Sequence, residues 1–439
     1  MSARQIAFEV LRRVDEGGAY ASRALDAALT GAGALDPREA GLATELVYGT
    51  LRRSLTLDAA LAPHSRRPVG ALDPPARVAL RLGAYQLLFM GKPPHAAVGE
   101  TVSLVKAVDH GRAAGYVNAV LRALARAPAL PEPPPLSVDP AGHVALAEAL
   151  PRWLAEEWVE WLGPAEALAL ARGMNQPAPL TVRSPARDAL VERARSAGLA
   201  AEPTRRSPDG VLLAGASVAA LARAAGGLPF QVQDEAAQLV TLYAAGGLRG
   251  TRARVLDACA APGGKAFHLA EQLAPGSEVV AVELHPRKAE ELAREAARRG
   301  LAGVRVVCAD AARPIPGLEA GSFDAVLVDA PCAGLGTLRR HPELKLRRVP
   351  EDLARMAVLQ ADVLAGVARY ARPGAPITYS ICSLSRVEGP RVVEAALRSG
   401  LARAGGGAVP SDVLTAEGDL LTLPHRHGTD GFYAARLVG

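Results

Sequence analysis

The chain is short of cysteine, and the few it has are not arranged to staple or to ligate. Cys259, Cys308, Cys332 and Cys382 are its four cysteines; they lie in the C-terminal half, with no C-x-x-C pair and no histidine at ligand spacing. That excludes a disulfide framework or a zinc site as the organising device, so no metal is expected, and reduced thiols fit a cytoplasmic protein. No stretch approaches the roughly eighteen successive apolar residues that a membrane-spanning helix needs. The start, MSARQIAFEVLRRVDEG, puts Glu9 and Arg12 where a signal peptide would need its apolar centre, so neither secretion nor a membrane partner is expected. Also missing are G-x-x-x-x-G-K-[ST], which excludes a P-loop triphosphate site, and the strict G-x-G-x-x-G that a dehydrogenase would want.

What is present is ample apolar material, 49% of 439 residues, enough for two or three domains without staples. A net charge of +5 is compatible with a polyanionic partner, but the placement of the charges matters more than their sum. Residues 1–126 read as helices throughout: Ile6, Val10, Leu11 and Val14 recur at helical spacing, as do Val117, Val120, Leu121 and Leu124. Asp36-Pro37 and Asp73-Pro74 supply caps. The stretch APALPEPPPLSVDP carries six prolines and opens a linker over 127–144. Residues 145–232 suggest a small α+β module, with Trp153, Val159 and Leu162 on a short helix and PLTVRS and VLLAG as strands.

From residue 233 to 439 the grammar is strand alternating with helix. RVLDAC, EVVAVE, VRVVCAD, FDAVLVDA, APITYSIC and GFYAARLV are the strands, which predicts a mostly parallel, doubly wound sheet with its ligand at the strands' carboxyl ends. The loop DACAAPGGK follows the first strand and opens a helix; Gly263 and Gly264 let the backbone approach a ligand closely. Glu283 ends the second strand, where a ribose hydroxyl pair is gripped in such folds, although an acid before Pro286 also serves as a helix cap. Asp310 closes the third strand, placed for an adenine edge, and Asp329 the fourth. Four strands finishing in Asp257, Glu283, Asp310 and Asp329 point to a nucleoside cofactor, and S-adenosylmethionine is the common one left.

Cys332 and Cys382 each end a predicted strand beyond that loop, in VLVDAPCAGLG and ITYSICSLSRVEG. One such cysteine reads most simply as a small buried hydrophobe. Two beside a cofactor loop read as chemistry, because a thiolate adds well to an electron-poor ring carbon. RRHPELKLRR places Arg339, Arg340, Lys345, Arg347 and Arg348 just after Cys332, where phosphate contacts would position a strand of RNA; a solvated charged face is the plainer alternative. Arg52, Arg53, Arg66 and Arg67 group near one connection of the helical domain.

DACAAPGGK, VDAPCAGLG with RRHPELK, and YSICS with Glu388 downstream closely resemble the RsmB/Sun group of RNA cytosine-5 methyltransferases, over essentially the whole chain. GAYQLLFMGKPPHAAVGETVSLVK and GYVNAVLRALAR resemble the NusB-type RNA-binding domain that this group carries. The resemblance implies that Cys382 is the nucleophile and that Cys332 assists release. It implies that Cys259, Ala260, Ala261, Pro262, Gly263, Gly264 and Lys265, with Glu283, Asp310 and Asp329, bind S-adenosylmethionine. It implies a monomer acting on small-subunit (16S) ribosomal RNA, with transfer RNA or large-subunit RNA behind it. Asp329, kept protonated by burial, is the expected donor near ring nitrogen 3 of the cytosine. Ile381, Ala333, Leu335 and Gly389 depart from the group's usual residues around the cysteines. An exocyclic-amine methyltransferase would show Asn/Asp-Pro-Pro-aromatic where this chain has Asp-Ala-Pro-Cys, and a non-catalytic RNA-binding factor would need neither cysteine.

Overall fold

The computed structural model describes residues 1–33, 35–107 and 111–439. They fall into two compact units, the first made of Met1–Gln176 with Leu338–Arg348, the second of Pro177–Thr337 with Val349–Gly439.

The first unit is helical. Six helices, Ala3–Gly17, Ala21–Gly31, Pro37–Leu61, Pro74–Leu88, Pro94–Ala107 and Gly111–Arg126, enclose a core in which Ile6, Val10, Leu46, Val47, Leu82, Val117 and Leu121 are buried. The predicted caps differ in kind. Asp36 accepts from the N–H of Arg38, whereas Asp73 occupies its cap position without a side-chain bond and leaves the start of that helix to the prolines at 74 and 75.

The proline-rich stretch is not where this unit ends. Helices Pro140–Glu148, Arg152–Leu162 and Pro164–Met174 follow it within the same unit. Arg53 donates to the buried Glu148 at 3.2 Å, and Thr56 donates to the Leu146 carbonyl at 2.7 Å, so the chain folds back onto its own third helix. The buried stripe of Arg152–Leu162 is Leu154, Ala155 and Trp158, while Trp153 and Val159 are only half-buried.

In the second unit β1 (Leu180–Arg183), β2 (Ala200–Pro203), β3 (Gly210–Ala214) and β4 (Gln231–Val232) form an antiparallel sheet in the order β2-β3-β1-β4. The larger sheet contains β5 (Arg254–Asp257), β6 (Glu278–Glu283), β7 (Val304–Cys308), β8 (Ala325–Asp329), β9 (Ile377–Ile381), β10 (Ala402–Arg403), β11 (Leu420–Thr422) and β12 (Phe432–Val438). Its order is β10-β12-β9-β8-β5-β6-β7, with β11 on β12; β5 to β9 are parallel and β12 runs against β9. The central strands are apolar on both faces because both are covered. Leu256, Val280, Val282, Val326 and Val328 enter one core, and their neighbours Val255, Val279, Ala281, Ala325 and Leu327 enter the other. The strand order reverses at β5, which opens a crevice beyond the carboxyl ends of β5, β6, β8 and β9. Among the described residues no helix is long and apolar enough to cross a membrane.

Candidate active site

β5 runs straight into the glycine loop. Gly263 has φ +103, and a Cβ there would meet the Phe267 ring at 2.5 Å and Leu292 Cδ1 at 2.7 Å, so only glycine fits before the helix Gly264–Gln272. The four strand-end acids converge on this loop. Burial first, and then Asp257, Asp329, Glu283 and Asp310 in turn, push the Cys259 thiol far above its ordinary value.

Asp257 is fully buried, and neither of its oxygens meets a donor at full hydrogen-bond geometry. Burial and the neighbouring Asp329 raise its carboxyl to about 7, against the pull of Lys265 and the Cys259 N–H. A carboxylate held in this way suits a cationic ligand group. S-adenosylmethionine carries two, a sulfonium and an ammonium, so the residues present fit it. Glu283 accepts from the His285 N–H at 2.8 Å, so the helix-cap reading is realised, but a carboxylate has two oxygens and the cap does not exhaust it. Asp310 accepts from the Ala312 N–H at 3.0 Å and is part-exposed at the rim.

Asp329 has different surroundings from those expected. Its Oδ2 receives the Lys265 ammonium at 2.7 Å and its Oδ1 the Ser380 hydroxyl at 2.8 Å. Two donors, one of them cationic, favour an acceptor, so a neutral Asp329 kept protonated by burial does not match this geometry. Burial opposes the charge on Lys265, but Asp329, Cys382 and Asp257 outweigh it and raise the ammonium's pKa above its ordinary value. Lys265, from the cofactor loop, is therefore a cation within electrostatic reach of Cys382.

The two cysteines meet: Cys332 Sγ and Cys382 Sγ are 3.4 Å apart. The approach is built into the backbone, since Gly336 N–H donates to the Cys382 carbonyl at 3.0 Å, and a Cβ on Gly336 would strike the Gly431 carbonyl oxygen at 1.9 Å. The hydrogen bond to Cys382, burial, and the nearby charges of Cys382 and Glu388 hold the Cys332 thiol well above its usual range. Ile381 is fully buried in the core beneath, so the absence of a hydroxyl there costs no bond in the loop.

The basic segment belongs to the helical unit, and most of it faces inward. Arg339 and Lys345 are 6% and 2% exposed. Lys345 donates to the Arg52 carbonyl at 2.6 Å, and burial, then Arg53 and Arg52, lower its pKa to about 7. Arg347 donates to the carbonyls of Val14, Gly18 and Ala19, closing the negative end of the helix Ala3–Gly17. Glu343 in turn accepts from the Ala21 N–H at the start of the next helix. As phosphate contacts, Lys345 and Arg347 are thus replaced by internal partners and Arg339 is buried, while Arg340 and Arg348, like Arg347, are part-exposed. Arg52 is likewise buried and Arg53 is paired with Glu148, while Arg66 and Arg67 stay exposed.

A doubly wound sheet, an acidic glycine-loop crevice and two apposed thiols define a Rossmann-type methyltransferase of the two-cysteine kind. Residues 250–438 match the family model described as 16S rRNA methyltransferase RsmB/F, residues 1–126 the NusB family, and residues 150–219 the ferredoxin-like domain of RsmF/B-like methyltransferases. Ribosomal RNA small subunit methyltransferase B of Thermus thermophilus is 40% identical, covering 99% of this chain and 97% of that protein. The Pseudomonas syringae protein of the same name is 35% identical over 95% and 96%. The crystal structure of PH0851 superposes with TM-score 0.83 at 22% identity over 99% of both chains, and NSun6 from Pyrococcus horikoshii with TM-score 0.57 at 20% identity over 66% of this chain and 98% of that one. The chain belongs to the RsmB/F family of 16S rRNA methyltransferases.

Proposed function

We propose that this chain methylates carbon 5 of a cytosine in small-subunit (16S) ribosomal RNA, with Cys382 as the nucleophile and Cys332 assisting release. The observation that carries the reading is the 3.4 Å apposition of the two sulfurs beside the Lys265–Asp329 pair. Carbon 5 of cytosine is a weak nucleophile. Attack of the Cys382 sulfur on carbon 6 shifts the C5–C6 π pair onto carbon 5 and into the ring, which makes carbon 5 an enamine carbon. Bound S-adenosylmethionine supplies an electrophilic methyl group on sulfur, held by the acidic loop from Cys259 to Lys265 with Asp257, Glu283, Asp310 and Asp329.

Lys265 places a positive charge within electrostatic reach of the Cys382 sulfur. Asp329, as a carboxylate, is an acceptor for the exocyclic amine of the cytosine. Release needs the carbon 5 proton to leave to water, its bond pair to restore C5–C6, and the C6–S pair to return to Cys382. Cys332 keeps its proton at neutral pH and donates its S–H to the Cys382 sulfur, which stabilises that sulfur as it departs.

In this reading residues 1–126 dock RNA and residues 233–439 catalyse. The enzyme is a cytoplasmic monomer that needs no metal. Bisulfite sequencing of 16S rRNA from cells with and without the gene tests the substrate: one cytosine loses protection in the knockout. Loss of protection in transfer RNA or large-subunit RNA instead would move the target.

A further inference from the structure

Glu388 has no part in the chemistry described above, yet it is fully buried and lies between the two cysteine loops. Its Oε1 accepts from the N–H of Ala333, the residue after Cys332, at 2.7 Å. Its Oε2 accepts from the hydroxyl of Ser383, the residue after Cys382, at 2.5 Å. Gln360 completes the brace: its amide nitrogen donates to Glu388 Oε1 at 3.1 Å and to the Pro331 carbonyl at 2.9 Å, while the Tyr379 hydroxyl bonds the Glu388 carbonyl and Gln360 Oε1. One carboxylate thus ties together the residues that follow each sulfur. Burying a carboxylate costs several kcal/mol unless donors surround it, so a purely apolar packing role would be served better by leucine or methionine.

We propose that Glu388 is a positioning residue for the release half of the reaction: it clamps the Cys332 loop to the Cys382 loop and so sets the sulfur-to-sulfur distance on which departure of the methylated RNA depends. This rests on the release role given to Cys332 above. The two loops are not held equally. Cys382 directly follows β9, whose ladder to β8 and β12 fixes it independently of Glu388. Cys332 lies three residues beyond β8 in a loop without a ladder, and the Ala333 N–H is the amide next to it. Losing the carboxylate therefore displaces Cys332 more than Cys382. The negative charge also helps keep the Cys332 proton in place, as its influence on that thiol shows.

The test separates methyl transfer from release in Glu388→Ala, Glu388→Gln, Gln360→Ala and Cys332→Ala, with S-adenosylmethionine titration as the control for folding. Glu388→Ala should transfer the first methyl within about threefold of wild type but release RNA at least about tenfold more slowly, the scale of a small misplacement at a reacting group. The trapped RNA would run as a slow band on a denaturing gel. Glu388→Gln keeps an oxygen for Ala333 and an amide that can donate to Ser383, so release should recover to within about threefold. Absence of the band in Glu388→Ala, whether both steps are normal or both are lost, overturns the proposal, as does a Gln variant no better than the Ala variant. If Glu388→Ala does not bind S-adenosylmethionine, Gln360→Ala carries the test with the same readout, and no band there overturns it. A band in Cys332→Ala but not in the folded Glu388 or Gln360 variants removes the clamp and leaves the release role standing; no band in Cys332→Ala removes the release role itself.

Discussion

Replacing Asp257 by asparagine should stabilise the cofactor-free protein at alkaline pH and weaken its hold on S-adenosylmethionine. Burial and Asp329 raise the Asp257 carboxyl from 3.8 to about 7. The folded state binds this proton more tightly than the unfolded chain does. Its contribution to stability is therefore complete below pH ~4, falls as the pH climbs, and levels off above about 7. Each pH unit in that window is worth about 1.4 kcal/mol, about 4 kcal/mol across the whole. Between pH 5 and pH 8 wild type should lose about 3 kcal/mol through this group alone, a loss the asparagine variant escapes. Urea unfolding of both proteins at the two pH values gives the difference, and titrating groups remote from Asp257 cancel in the comparison. Titration with the cofactor gives the reverse ordering: wild-type affinity should rise through pH 7, and the variant should be weaker and flat. Parallel stability curves, or a variant that binds the cofactor as tightly as wild type, would refute a buried carboxylate waiting for a cationic ligand.

Three further outcomes follow from the site. Glu283→Ala should weaken cofactor binding by about 1 to 3 kcal/mol in calorimetric titration, the penalty for buried hydroxyls left without an acceptor; unchanged affinity would place the ribose elsewhere. Cys332→Ala should methylate RNA and hold it, giving a covalent band that disappears in the Cys332→Ala/Cys382→Ala double variant, whereas normal turnover without the band would remove Cys332 from release. Lys345→Met should leave the salt dependence of RNA binding unchanged because its ammonium is spent on the Arg52 carbonyl. Arg340→Ala with Arg348→Ala should lower the slope by about one per lost phosphate contact, and a slope that moves with Lys345 instead would show that the buried segment opens to RNA.

The parallel sheet was legible because its central strands β5, β6 and β8 are buried on both faces and so read as apolar runs ending in acids; β5 to β9 and β12 lie where RVLDAC, EVVAVE, VRVVCAD, FDAVLVDA, APITYSIC and GFYAARLV predict. The strands β2, β4, β10 and β11 were not, since AAEP, QV, AR and LLT are too short or too polar to stand out as apolar runs. RRHPELKLRR misled for a physical reason. Local sequence shows the charge but not its partner, and here the partners are carbonyls at the end of a helix more than three hundred positions away. Lys265 is a similar case: its place in DACAAPGGK suggests a ligand contact, and only the fold brings Asp329 to it at 2.7 Å. Pairing of this kind depends on how β5 and β8 lie side by side, which no motif spells out.

The central claim is that carbon 5 is activated by a covalent bond from Cys382 to carbon 6, and the most direct measurement uses 16S rRNA carrying tritium at carbon 5 of cytosine. Methylation by this route must expel that atom into water, one for each methyl gained, and both signals must disappear in Cys382→Ala while S-adenosylmethionine still binds. Methyl incorporation with the tritium retained, or tritium release that persists in Cys382→Ala, would contradict the account.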